Sequence, residues 1–282
     1  MRPSYLAAKN KSDPNDRLLQ VLQEDEIHYA DQPIAVVVAT TLESAQEAAH
    51  LVSARYAPAS LSVALSTTAP DTYAPKKAGP VGPADSKRGD FASGLKNAAV
   101  RIDQTYTTPV QNHNPMEPHA LTVVWQGDDH VTPCTIPRRA SLASKRRSPR
   151  CSAFQPKNVR VISRYVGGGF GCKGSPWSHI GLAALAARVV KRPVKLALTR
   201  QQMFSLVGHR PPTIQHLVLA ADRAGKLIAI STNPGPKRRV STNSSSPPRC
   251  RRRMLYACPN VITSHRLLPL DVPHADVHAC AR

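Results

Sequence analysis

The chain has 282 residues, enough for two domains of ordinary size, with 41% hydrophobic residues and a formal net charge of +20. No run of about 18 apolar residues occurs, so neither a membrane span nor a cleavable leader is expected and the chain reads as soluble. The charge is regional: residues 131–153 and 232–253 hold six and seven Lys or Arg respectively and no acid, and without them the net charge falls from +20 to +7. Clustered cations would favour nucleic acid by displacing counterions from phosphate, but aromatics amount to 5% and no nucleic-acid-binding motif accompanies them. Six cysteines, Cys134, Cys151, Cys172, Cys250, Cys258 and Cys280, form no C-x-x-C pair and have no histidine at zinc spacing. Neither a structural metal nor a disulfide framework is expected, and scattered thiols suit a reducing compartment.

The first coherent block runs from Leu18 to Leu65, with strands expected at Leu18–Leu22 and Ile34–Ala39. A helix follows, capped by Thr40 with Glu43 completing a capping box; Ala45, Ala48, Ala49, Val52 and Tyr56 line one face, and Pro58 stops it. Residues 69–95, rich at their start in Pro, Gly, Ala and Lys, read as a linker between two domains. Beyond it, strands are expected at Ala99–Thr107 and Ala120–Trp125, on either side of a polar loop, Gln111 to His119.

A third strand, Val159–Val166, runs into Gly167-Gly168-Gly169-Phe170-Gly171-Cys172-Lys173-Gly174. A helix capped by Ser175, with Pro176 first and Ile180, Ala183, Ala184, Ala187 and Val190 on its apolar face, should follow. Val194–Leu198 reads as a buried strand, Thr199 or Arg200 opens a turn toward Met203 and Phe204, and His216–Ala220 with Leu227–Ile230 reads as a hairpin about Asp222-Arg223-Ala224-Gly225. The two basic windows show neither helix nor strand period and read as aberrant or disordered.

Glycines between a strand and a helix let several backbone amides surround a concavity that suits a phosphate, because positive φ and close approach are open to them. Phe170 either leans on a planar cofactor or plugs the core. Three readings of the loop compete. Gly169-x-Gly171-x-x-Gly174 fits the dinucleotide fingerprint, yet the first acid after Gly174 is Asp222, too far on to hold a ribose hydroxyl. A tight turn without a ligand is the second, and the third comes from resemblance.

Val166 to Gly174 is similar to the glycine loop that lies against the molybdenum pterin cofactor in the xanthine dehydrogenase and aldehyde oxidase family. Gln111 to Ala120 resembles the segment that opens the first cofactor-binding domain in its bacterial aldehyde oxidoreductase branch. Gly208-His209-Arg210-Pro211 and Arg253 to Val261 also look like that family, and Leu18 to Tyr56 is similar to the small a/b hammerhead domain that precedes it. The resemblance implies an α+β fold: a hammerhead domain over residues 1–68, the linker over 69–95, and part of a molybdopterin-binding domain over 96–282.

It further implies that Gly168, Gly169, Phe170 and Gly171 contact a molybdenum-molybdopterin cofactor, in its plain or cytosine dinucleotide form. Such an enzyme hydroxylates an aldehyde or N-heterocycle with oxygen from water and passes electrons to iron-sulfur and FAD subunits of the same complex. Purine is disfavoured, because Gly174 stands where xanthine-oxidising members carry an acid. Cytoplasm is the expected compartment, or periplasm by export with a signal-bearing partner.

Departures from the family coincide with the basic windows, where a glutamine-containing cofactor loop has no counterpart; resemblance resumes at Met254, as paired changes of reading frame would produce. The family's arginine-containing loop is missing after Val272, and its glutamate general base is expected beyond Arg282. Glu117 reads as serving its own loop and Glu43 its helix cap, so the chain reads as a fragment that is inactive alone; a non-functional remnant and a basic nucleic-acid-binding protein are the alternatives.

Overall fold

A computed structural model describes residues 22, 25–74, 85–127, 130–134, 158–163, 165–174, 177–232, 240–241 and 256–273. Its first element is α1 (Leu42–His50), capped by Thr41, whose hydroxyl accepts from the Ser44 amide at 3.2 Å. The cap is thus one residue later than expected, Glu43 sits in the first turn without closing a capping box, and Val52 and Tyr56 lie past the C-terminal end. None of the residues of α1 is buried, and a short helix with no packed face has little to prolong it. Ile34–Ala39 is not a strand: its intended neighbour Leu18–Leu22 lies almost wholly outside the described residues, and no described segment offers a ladder.

The remaining elements build two sheets. The larger contains β1 (Ser86–Arg88), β2 (Val100–Thr108), β6 (Thr213–Ala221), β7 (Leu227–Thr232), β8 (Val240–Ser241), β9 (Asn260–Thr263) and β10 (Arg266–Leu267). Their order is β1-β9-β7-β6-β8-β10, with β2 on β6. The β2–β6 pair is antiparallel in unbroken register from Val100↔Ala221 to Thr108↔Thr213. β6 and β7 form the expected hairpin, turned by Asp222: its carboxylate accepts from the amides of Ala224 at 3.0 Å and Lys226 at 2.9 Å, and Gly225 takes φ +80°.

Two elements occupy the expected linker. β1 pairs antiparallel with β9, and α2 (Phe91–Lys96) is capped by Asp90 and buries Phe91 on Val218, Ala220 and Ala229. Asn260 joins them to the sheet, accepting from the Asp90 amide at 2.8 Å and donating to the Ile228 carbonyl at 2.9 Å. The sequence signal was an aspartate cap before an apolar pair, hidden by the Pro-rich stretch ahead of it.

The smaller sheet has β3 (Ala120–Gln126) at its centre between β4 (His130–Cys134) and β5 (Val194–Ala197), both antiparallel to it. Thus part of each basic window joins a sheet, the start of the first through β4 and the middle of the second through β8, while most of each window lies outside the described residues. α3 (Ser178–Val190) packs Ala183, Ala184, Ala186 and Ala187 onto Leu121, Val123 and Val194 of this sheet. Its cap position is Trp177, with no side-chain cap bond, in place of the expected Ser175, which lies outside the described residues with Pro176. Val159–Val166 is not a continuous strand; Val159 is buried in the α3 core and single bridges form at Val159 and Ile162, while Tyr165 and Val166 turn outward toward the glycines.

Alanine packed on Leu121 leaves little slack to fill a void. Leu121→Ala should lower unfolding free energy by about 2–5 kcal/mol in a urea titration, and a loss under about 0.5 kcal/mol would show that this cluster does not hold the small sheet to α3.

Candidate functional site

The polar loop after β2 is held at both ends. At its start the Gln111 amide donates to the Arg210 carbonyl at 3.1 Å, the Arg210 amide returns the bond at 2.8 Å, and the Arg210 guanidinium donates to Gln111 Oε1 at 2.9 Å. At its end the Arg200 guanidinium donates to the carbonyls of Pro115 and Met116, both at 2.6 Å. Arg200 stands just before α4 (Gln202–Ser205), whose first turn is closed by Thr199 Oγ1 accepting from the Gln202 amide, as the sequence led one to expect. The His119 amide then meets Met203 Sδ at 3.2 Å, and the His119 carbonyl accepts from Leu198 at 2.8 Å.

Glu117, fixed between these anchors, reaches the glycine loop. Its Oε2 accepts from the Gly167 amide at 2.7 Å and from Lys173 Nζ. Lys173 is 5% exposed, so its ammonium has given up most of its hydration and needs this carboxylate. The Lys173 hydrogen bond in turn holds the Glu117 carboxyl below the usual carboxylate range; partial burial opposes this, and the Gly167 amide reinforces it. A Cβ on Gly167 would lie 2.7 Å from Glu117 Cβ, so only glycine lets the two loops approach this closely.

Between those two contacts the backbone enters the left-handed region three times, with φ +85° at Gly168, +48° at Phe170 and +113° at Gly171. Among the described residues, the amides of Gly168, Gly169, Phe170 and Gly171 donate to no protein acceptor. A run of amides without protein acceptors suits the acceptor oxygens of a polar ligand. Phe170 is 73% exposed and therefore does not plug the core. The far side of the loop is tied down: the Cys172 thiol donates to the Gly169 carbonyl at 3.1 Å, the Gly174 amide to the Gly171 carbonyl at 3.0 Å, and Trp177 Nε1 to the Cys172 carbonyl at 2.6 Å. The chain leaves the glycines through a 3-10 turn (Cys172–Gly174), and α3 starts only at Ser178. The glycines therefore do not sit on the helix N-terminus, as the strand-glycine-helix pattern led one to expect, and the loop relies on its own amides.

Two histidines lie beside it. The rings of His119 and His179 are 5.1 Å apart and tilted by 59°, both nearly inaccessible to water. Burial pushes the His119 imidazole down to about 3, aided by the charge of Lys173 and by His113; burial and then His119 push that of His179 well below its ordinary value. Both stay neutral at physiological pH. The described residues contain no group of three or more His, Cys, Asp or Glu able to hold a metal ion, and Cys172 and Cys258 are buried free thiols. The other four cysteines fall outside the residues whose side chains are described.

A family model of the molybdopterin cofactor-binding domain matches residues 74–274, and a model of the aldehyde oxidase and xanthine dehydrogenase a/b hammerhead domain matches residues 5–60. The chain belongs to the aldehyde oxidase and xanthine dehydrogenase family. Within it, the chain is 39% identical over 97% of its length to the aldehyde oxidoreductase molybdenum-binding subunit PaoC of Escherichia coli K12, of which it covers 36%. It is 28% identical over 77% of its length to an indole-3-acetaldehyde oxidase of Zea mays, covering 16% of that protein. The chain thus spans about a third or less of these relatives. Among solved structures, its fold is similar to quinoline 2-oxidoreductase of Pseudomonas putida 86, with a TM-score of 0.69 at 17% identity over 85% of this chain and 32% of that one. It is also similar to CO dehydrogenase of Oligotropha carboxidovorans, with a TM-score of 0.67 at 17% identity over 84% of this chain and 32% of that one. The mixed α and β architecture expected from the family resemblance therefore stands.

The structure brings three of the resembling segments together: the polar loop meets the glycine loop through Glu117 and Gly208–Pro211 through Arg210. Sequence reasoning did not find Lys173 as the partner of Glu117, Arg200 as a clamp or the His119–His179 pair. Nothing local signals contacts between residues 56 to 85 positions apart.

The neutral histidines give a pH dependence. In the unfolded chain each imidazole takes up a proton below its ordinary value of 6.5, whereas His119 in the folded chain does so only near 3. Stability from this source is complete above about pH 6.5 and drains away as pH falls toward 3. Between pH 7 and 5, His119→Gln should lose about 2 kcal/mol less unfolding free energy than the parent, and equal losses would place His119 in water.

Proposed function

We propose that this chain supplies the pterin-side wall of a molybdenum hydroxylase active site, with the amides of Gly168, Gly169 and Gly171 and the ring of Phe170 holding the molybdenum-molybdopterin cofactor, in its plain or cytosine dinucleotide form. The observation that carries this reading is a run of four amides that meet no protein acceptor among the described residues, on a loop with positive φ at Gly168, Phe170 and Gly171 and fastened at both ends. A phosphate or pterin oxygen finds donors there that need no rearrangement on binding. When bound, the cofactor supplies hydroxylation with oxygen from water, and the chain's residues orient it.

Glu117 does not serve as the proton acceptor of this chemistry. Its carboxylate is committed to Lys173 and Gly167, and a carboxyl held below its usual range is a poor base. The base is expected from another part of the protein. An aldehyde is the preferred substrate class, in keeping with the PaoC resemblance, and an N-heterocycle is second. Electrons would leave through iron-sulfur and FAD subunits of the same complex. No described helix is long and apolar enough to cross a membrane. We place the assembly in the cytoplasm, or in the periplasm if a partner carries the export signal. A hammerhead unit over residues 1–68 and a cofactor-binding unit over 96–282, joined through residues 69–95, belong to this proposal, with Tyr73 and β1 of the joining span already paired with the larger sheet.

The test is cofactor retention. Purified from a host that makes the molybdenum cofactor, the chain should carry molybdenum and pterin in equal amounts. Gly171→Ala forces a side chain into φ +113°, a strain of about 1–3 kcal/mol, and should cut pterin content about tenfold. Gly127→Ala imposes similar strain at φ +66° in the turn after β3 and should change it by less than about twofold. A folded parent chain without pterin would refute the proposal.

A further inference from the structure

We propose that Glu117 is the positioning residue of the glycine loop: one carboxylate oxygen clasps both ends of the loop, the amide of Gly167 and the ammonium of Lys173, and thereby aims the amides between them. The clasp is a property of this chain's own loops. What it aims at rests on the cofactor reading above.

The loop has few other means of holding its shape. Five of its residues from 167 to 174 other than Gly167 itself are glycine or left-handed, and Tyr165, Val166 and Phe170 are exposed, so side-chain packing does not fix the outward stretch. The bonds of Cys172, Gly174 and Trp177 secure its C-terminal half. The described contact that fixes the N-terminal half is Gly167 to Glu117 at 2.7 Å.

The post that carries this carboxylate is itself rigid. Arg200 grips the two carbonyls immediately before Glu117, and Met203 and Leu198 hold the backbone of His119, two residues after it. Lys173 is buried near the neutral imidazole of His119, and among the described residues its counter-charge is Glu117. A buried ammonium does not tolerate loss of such a partner, and this keeps the carboxylate in place. Moving Glu117 by one rotamer would release both ends of the loop at once.

The experiment is amide hydrogen exchange on the full 282-residue chain, comparing Glu117→Leu combined with Lys173→Met, which removes both charges and strands neither, with the parent and with Glu117→Gln, which keeps an acceptor for Gly167. The double variant should exchange the Gly167 amide, the protected position that Glu117 holds within 165–174, about tenfold faster and leave peptides spanning 100–108 and 213–221 unchanged. Glu117→Gln should fall between it and the parent. Loop exchange in the double variant within about twofold of the parent, or equal acceleration in the β2 and β6 peptides, would overturn the proposal. If the double variant does not fold, Glu117→Gln decides alone: faster exchange confined to 165–174 supports the clasp, and parental exchange there refutes it. Pterin content measured on the same samples separates the two claims, because a parent without pterin removes the ligand and leaves the exchange result standing.

Discussion

A single oxygen, Oε2 of Glu117, accepts from Gly167 and from Lys173, and the geometry of the site follows from that shared bond. The polar loop after β2 and the glycine loop before α3 are far apart in the chain, and neither belongs to a sheet. Each is secured on its own side, one by Arg200 and Arg210, the other by Cys172 and Trp177. The carboxylate joins them. Glycine at 167 is what permits the approach, since any side chain there would occupy the space of Glu117.

Burial makes this bond stiff. Lys173 is almost inaccessible, and the imidazole that feels its charge, His119, is one that burial keeps neutral. A protonated histidine at 119 would oppose the ammonium and add a second charge without a partner. The neutral pair therefore lets one carboxylate balance one ammonium. The unsatisfied ring nitrogens of His119 and His179 are the cost of packing imidazoles in this layer. The family to which the chain belongs binds molybdopterin, and the loop presents donors without acceptors of their own, the complement of such a ligand.

Local signals in the sequence were read well. The hairpin about Asp222 and Gly225 needs only neighbouring residues, and β2 and β3 carry their β-branched and aromatic content openly. The glycine loop was legible as a turn of positive φ, because that conformation favours particular residues. Readings failed where structure depends on a partner. Ile34–Ala39 alternates like a strand but has no described ladder to join, and the span expected as linker gains β1 and α2 from β9 and from the apolar face over Ala229. The cap of α1 moved by one residue, from Thr40 to Thr41, a choice between adjacent threonines that no pattern decides. Glu117 was expected to serve its own loop, whereas its carboxylate serves the glycine loop, through Gly167 and a lysine 56 residues away.

The claim that the two loops are held by one ion pair is tested most directly by a double-mutant cycle on Glu117 and Lys173, using Glu117→Gln, Lys173→Met and both together in urea unfolding. A clasp predicts a coupling of about 1 kcal/mol or more, with the double variant less destabilised than the sum of the singles. Additivity to within about 0.3–0.5 kcal/mol would contradict it and detach the glycine loop from the polar one.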